Sequence, residues 1–129
     1  MEDPITQKII GCALAVHYGL GPGFLESVYQ NALSQELRDA GLDVGCEWRL
    51  AVRYKGRTVG EFVADMVVEG KVLIEIKAVT ALVTAHEAQL VNYLTATGID
   101  TGLLLNFGSS RLQIRRKVRI YQKRSGVLL

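Results

Sequence analysis

The stretch GEFVADMVVEGKVLIEIKAV, Gly60 to Val79, decides how the chain folds. It reads as two β-strands, over residues 57–68 and 71–77, joined at the turn signal Glu69-Gly70. Both strands are apolar enough to be buried, yet each carries charge. Asp65 lies in the first. Glu75 and Lys77 lie in the second at i and i+2, so both point to one face. Carboxylates and a lysine inside apolar strands are costly unless they are paired or coordinated. The same stretch therefore sets the architecture and nominates a site.

Working outward, residues 43–54, rich in Val, Trp and Leu, form a strand before this pair, with Lys55-Gly56 as the turn. Two helices precede it. Over 5–18, Ile5, Ile9, Ala13 and Val16 recur at helical spacing, with Pro4 in the first turn. Gly19–Gly23 breaks the pattern, and a second helix fits 24–40, closed by Gly41. On that helix Phe24, Leu25, Val28, Tyr29, Ala32, Leu33 and Leu37 form the apolar arc, with Glu26 at its edge. Ser27, Gln30, Asn31, Ser34 and Arg38 take the wet side. Downstream, 84–97 is helical and 101–107 (TGLLLNF) reads as a buried strand. Residues 111–121 alternate Leu112, Ile114, Val118 and Ile120 with Arg and Lys, and Arg116 breaks the apolar side. The order α-α-β-β-β-α-β-β implies an α/β fold, a mixed sheet with helices on both faces.

The chain of 129 residues suits one domain over 1–129. At 49% hydrophobic and 22% charged, its composition is that of a globular protein, not a disordered one. Its formal charge of +2 hides an asymmetry: residues 1–100 hold 8 Lys/Arg and all 13 acids, and residues 101–129 hold 7 Lys/Arg and no acid. A basic end segment suggests an anionic partner, or an edge strand guarded by cations. No apolar run approaches the ~18–20 residues of a membrane span. The acidic start MEDPITQK is no secretion signal, so the expectation is a cytoplasmic protein without a membrane partner. Cys12 and Cys46 make no metal spacing with the two histidines. Two reduced thiols fit that compartment, with a Cys12–Cys46 disulfide as the alternative.

The chemistry open to the central residues is that of a hard cation. Mg²⁺ takes oxygen ligands. Asp65 and Glu75 could supply two, and the carbonyl of Ile76 a third. Such an ion activates water and polarises a phosphoryl oxygen, while Lys77 neutralises developing charge. Geometry makes a demand. A two-residue turn at Glu69-Gly70 would pair Val68 with Lys71 and set Asp65 opposite Ile74, leaving Asp65 and Glu75 on opposite faces. Co-coordination requires a one-residue offset near Gly70, and that offset is predicted. On the following helix, His86, Gln89 and Tyr93 form a polar stripe that could line a cleft or simply face water.

Asp65…Glu75-Ile76-Lys77, on two successive strands within an α-β-β-β-α-β order, resembles the active-site signature of the PD-(D/E)XK nuclease superfamily. Gly23-Phe-Leu-Glu26-Ser-Val-Tyr29 matches G-x-x-E-x-x-Y. With LGPG before it, and HEAQLVNYL and GLLLNFG after the core, the chain resembles the GxxExxY family of small PD-(D/E)XK-like proteins from about Ile5 to Ile120. The resemblance implies a restriction-endonuclease-like fold, with Asp65, Glu75, Lys77 and Glu26 at the active-site positions. It implies Mg²⁺ or Mn²⁺ held by Asp65, Glu75, Ile76 and Glu26. Gln89 and Tyr93 match a supporting Q-x-x-x-Y pattern. Ala64 stands where the superfamily signature has proline. The implied activity is metal-dependent hydrolysis of nucleic acid, DNA ahead of RNA.

Bland readings stand beside these. Tyr29 suits core packing with a hydroxyl tether. His17 suits a hydrogen-bonded core histidine, and Glu47 and Glu61 suit a strand surface. Arg115, Arg116, Lys117 and Arg119 could contact phosphates or only protect an edge. Two other functions compete with catalysis: a nucleic-acid-binding module without turnover, and a protein-interaction subunit using the apolar end Val127-Leu-Leu129. A homodimer suits a small nuclease acting on two strands.

Overall fold

The computed structural model describes residues 3–119. Ile120, Tyr121 and the apolar end at Val127 lie outside the described residues. Helix α1 (Pro4–Leu20) starts where the Asp3 carboxylate accepts the Ile5 N–H at 3.1 Å and Pro4 takes the first helical position. Helix α2 (Glu26–Asp39) follows. Strands β1 (Val44–Tyr54), β2 (Arg57–Val68) and β3 (Val72–Lys77) form an antiparallel meander. Helix α3 (Thr84–Thr97) crosses over to β4 (Thr101–Asn106), which runs parallel to β3. β5 (Gln113–Val118) returns antiparallel at the sheet edge. The strand order is β1-β2-β3-β4-β5, a mixed sheet as the element order implied.

Two apolar layers cover the sheet. On one face Ile9, Ala13 and Val16 of α1 and Tyr29, Leu33 and Leu37 of α2 pack on Met66, Val68, Val72, Ile74, Ile76, Leu103 and Leu105. On the other, Leu90 and Leu94 of α3 pack on Val67, Leu73 and Leu104. Alternate residues of β3 and β4 thus serve opposite layers, so these central strands are apolar on both sides. Gly102 is seated directly under Leu90, where a Cβ would come within 2.8 Å of its side chain.

The second helix departs from its expected outline. It begins at Glu26, and Phe24 and Leu25 are exposed ahead of it. Gly23 at φ 114° turns the chain, and the Tyr29 hydroxyl accepts the Phe24 N–H at 3.1 Å while donating to the Gly21 carbonyl. That tether holds residues 21–24 outside the helix. Ser34, expected on the wet side, is buried and lies 3.6 Å from the Cys46 thiol. Both cysteines are free, which removes the disulfide alternative. Burial pushes the Cys12 thiol pKa up. Among the described residues no helix is long and apolar enough to cross a membrane.

The segment after β3 is fixed from β4 and β5. The fully buried Asn106 side chain accepts the Val79 N–H and donates to the Val79 carbonyl, both at 2.9 Å, and also donates to Gln113. Gln113 in turn accepts the Leu82 N–H at 3.0 Å. Gly108 lets this segment approach: a Cβ there would sit 2.4 Å from the Val79 carbonyl oxygen and 2.5 Å from the Ala78 carbonyl carbon. Backbone cannot yield as a side-chain tip can. Gly108→Ala is therefore expected to destabilise the fold by about 3 kcal/mol, at the upper end of overpacking costs. Gly60→Ala, with open space at its Cβ, is expected to stay within about 0.5 kcal/mol of the parent. Thermal and urea unfolding followed by circular dichroism checks the contrast; equal stability of the two variants refutes it.

Candidate active site

The pairing of β2 with β3 runs Val68–Val72, Val67–Leu73 and Met66–Ile74. Its continuation sets Asp65 opposite Glu75. The loop therefore holds three residues. Glu69 and Gly70 both take positive φ, and Lys71, whose N–H donates to the Val68 carbonyl at 2.9 Å, is the added residue. This is the predicted one-residue offset. Asp65 and Glu75 share a face, the one on which Val67 and Leu73 meet α3.

The regular ladder ends at Met66–Ile74, and the two carboxylates take over its role. Glu75 Oε2 accepts the Asp65 N–H at 2.9 Å, and Asp65 Oδ2 accepts the Ile76 N–H at 2.7 Å. Each acid thus holds the backbone of the other's strand. Asp65 Oδ1 and Glu75 Oε1 have no hydrogen bond among the described residues. Glu75 is only 7% exposed. Burial, reinforced by the Asp65 charge, pushes its pKa up to about 7, against the opposing pull of the Asp65 N–H and Lys77. Asp65 is raised too, first by burial and then by the charges of Glu26 and Glu47, with the Ile76 N–H and Lys77 opposing. Lys77 is half-buried and makes no ion pair within 4 Å among the described residues.

Glu26 is the first residue of α2 and is exposed, not buried in an apolar arc as its position in the pattern suggested. A helix N-terminus is a favourable place for a carboxylate. Its charge still reaches both Asp65 and Glu75. Tyr29 is the expected core tyrosine, fully buried and stacked on Phe107 at 4.7 Å. His17 bonds the Ser109 carbonyl oxygen at 2.9 Å, as a structural histidine would. Tyr93 stacks on Phe62 at 3.8 Å, and its hydroxyl pKa is raised by burial and by the Glu75 and Asp65 charges. Gln89 is exposed one turn earlier, and its side chain makes no hydrogen bond among the described residues. His86 Nδ1 accepts the Val83 N–H at 3.1 Å and so serves the start of α3.

The basic strand is largely occupied. Lys117 and Arg115 reach Glu87 of α3 at 2.5 and 3.7 Å, which lowers the Glu87 pKa. Arg119 forks onto Asp100 through two nitrogens at 2.9 and 3.1 Å. Arg116, exposed, has no ion pair among the described residues. β5 is an edge strand of the sheet.

Glu47 is the exposed strand residue expected, but its backbone was not foreseen. It stands across from Asp65 on β1, in the left-handed region at φ 54°, and its carboxylate accepts a hydrogen bond from the Gln30 amide at 2.9 Å. A non-glycine residue held there costs of order 1–3 kcal/mol. The hairpin changes its inward face at this rank: Cys46 and Met66 belong to the layer under α1 and α2, and Leu50 and Ala64 to the layer under α3. Trp48 folds back over Gly45, where a Cβ would come within 2.6 Å of its ring. No alternation of apolar and polar residues signals such a kink.

The residues fit a divalent cation in their donor chemistry: a buried and a half-buried carboxylate side by side, each with an oxygen unpartnered among the described residues and both pKa values raised, first by burial. Among the described residues no group of three or more His, Cys, Asp or Glu side chains converges on one ion position. Asp65 and Glu75 are the pair that could hold one.

Metal-free protein should lose stability as pH rises. An acid whose folded pKa lies above its unfolded value binds its proton more tightly in the folded state. Both states are protonated below about pH 4.5, and the penalty grows until about pH 7. A shift of this size corresponds to roughly 3 kcal/mol. Glu75→Gln is expected to flatten the curve and to be more stable than the parent at pH 8. Urea midpoints between pH 5 and 8 in EDTA check this; parallel curves for the two proteins contradict it.

A family model described as the PD-(D/E)XK nuclease superfamily matches residues 3–117. Among solved structures the fold is similar to that in the crystal structure of SSO0001, with a TM-score of 0.61 at 17% identity over 74% of this chain and 50% of that one. The chain thus spans half the length of that protein, and at this identity the likeness concerns the fold alone. No curated protein matches the sequence. The match runs through all three helices, the D…E-x-K strand pair and the returning strands, and the chain belongs to the PD-(D/E)XK nuclease superfamily.

Proposed function

We propose that the protein is a metal-dependent nuclease that hydrolyses phosphodiester bonds, with DNA preferred to RNA, and that within its superfamily it belongs to the GxxExxY family. One observation carries the reading: Asp65 and Glu75 stand opposite each other on one face, each bonded to the other's strand and each with an oxygen to spare.

Asp65 and Glu75, with the Ile76 carbonyl, would hold Mg²⁺ or Mn²⁺. When bound, the ion supplies a more acidic water and charge stabilisation at the phosphoryl oxygens. The remaining work falls to this chain's residues. Lys77, beside the carboxylates and outside any ion pair among the described residues, is available to a phosphate oxygen. Its charge stabilises the negative charge that grows there during displacement. Glu26 lies within electrostatic reach of both and adds negative charge at the rim. The Asn106–Val79 bonds and Gly108 fix the chain directly after Lys77 and so limit where its ammonium can go. Tyr93, packed on Phe62, walls the side facing α3.

Short DNA and RNA substrates incubated with Mg²⁺ or Mn²⁺ are expected to be cleaved, and EDTA is expected to stop cleavage. Asp65→Asn, Glu75→Gln and Lys77→Ala should each lower kcat/KM by at least about 100-fold, the scale of losing a principal electrostatic group. Glu26→Gln should have a smaller effect, about tenfold. Gel assays on proteins shown to be folded by circular dichroism decide the matter. Cleavage that survives Glu75→Gln and Lys77→Ala comes from another protein. Salt-dependent binding with no cleavage under any metal replaces the proposal with a binding module.

A further inference from the structure

A group of exposed cations gathers on the β1–β2 hairpin. Arg49, Arg53, Lys55 and Arg57 are all exposed, and Glu61 is the one acid between residues 48 and 63. None of the four is in an ion pair among the described residues. Arg53 donates to the Gly56 carbonyl at 3.3 Å, and Lys55 sits 5.5 Å above the Tyr54 ring. The same arm exposes Trp48, Val52, Tyr54, Val59 and Val63. Cations interleaved with exposed aromatic and apolar side chains differ from those of β5, where Arg115 and Lys117 reach Glu87.

Between this arm and α3 lies an open groove of about 750 Å³, lined by Val52, Arg53, Phe62, Asn92, Tyr93 and Thr95 among others. Its size falls in the ~300–1,000 Å³ range of small-ligand sites. The Phe62–Tyr93 stack forms part of its wall, and Tyr93 lies in the field of Glu75 and Asp65. Phe62, in that wall, stands three residues before Asp65 on β2, so the groove lies along the strand that carries the first carboxylate. An aromatic and aliphatic wall offers little to a sugar–phosphate backbone but suits the face of an unpaired base, and Asn92 and Thr95 offer hydrogen bonds to its edge. A duplex keeps its bases stacked inside and cannot place one there without extruding it.

We propose that the β1–β2 hairpin and α3 form a track for single-stranded nucleic acid, with phosphates on Arg49, Arg53, Lys55 and Arg57 and an unpaired base against Phe62 and Tyr93, leading to Asp65 and Glu75. The track rests on the phosphodiesterase reading and specifies its substrate as unpaired. It also accounts for β1 and β2, with 11 and 12 residues, being about twice as long as the 6-residue β3, β4 and β5: the excess length carries the binding arm.

The test uses fluorescence anisotropy with labelled single-stranded DNA, the same sequence as RNA, and the DNA duplex, in EDTA. Single strands should bind at least tenfold more tightly than the duplex. Arg53→Glu combined with Arg57→Glu should weaken single-strand binding at least tenfold. It should also reduce the slope of log affinity against log salt by about 1.4, or ~0.7 per lost phosphate contact. Thr95→Trp, which fills the groove from an exposed position, should weaken single strands while leaving duplex binding alone. With Mg²⁺ present these variants should raise KM and leave kcat unchanged. Duplex binding equal to single-strand binding overturns the proposal. So do unchanged affinity and salt slope in the charge-reversed variant; if the parent still cleaves, the phosphodiesterase reading survives that result. A parent protein that neither binds nor cleaves any of the three removes both.

Discussion

The register of β2 against β3 governs the rest. Strand side chains alternate, so a slip of one residue would send Asp65 to the face occupied by α1 and α2 and leave Glu75 on the other. Lys71 is the residue that prevents it. By standing in the loop it sets Val68 against Val72 and, ten residues apart in sequence, Asp65 against Glu75. The two carboxylates then close the strand pair where the amide ladder stops. The arrangement is costly, because Glu75 is buried beside the half-buried Asp65 and their charges are only partly offset by Lys77. Buried like charges of this kind are what a divalent ion relieves, and they are common where proteins do chemistry.

Much of this was legible in the residues. Element order and most strand limits follow from apolar spacing and from glycine-marked turns, since period and punctuation are local properties. The offset near Gly70 was legible for another reason. The turn signal alone argued for a two-residue loop, and only the chemical demand that both acids face one way argued against it. The structure agrees with the chemistry.

What was not legible depends on contacts between distant segments. Phe24 and Leu25 continue the apolar arc of α2 on paper, but the Tyr29 hydroxyl holds the chain ahead of them in a turn. Glu26 thereby becomes an exposed first residue instead of a buried one. Arg115, Lys117 and Arg119 look like a free basic stripe because their partners, Glu87 and Asp100, come from α3 and the loop after it. Glu47 looks like any surface strand residue, since nothing in a strand pattern announces a left-handed φ. The hairpin cations were equally plain in the sequence, but a charge count over residues 1–100 as one block averaged them against the acids there.

The kink at Glu47 has a practical side. The chain contains one tryptophan, and it is Trp48. Its ring lies on Gly45, 43% exposed, next to the residue that stands across from Asp65. Indole emission is sensitive to the polarity and charge around the ring, so the protein carries a native optical reporter a strand away from its acids. Events at the strand pair can be followed in unmodified protein, in real time, with no label to disturb them.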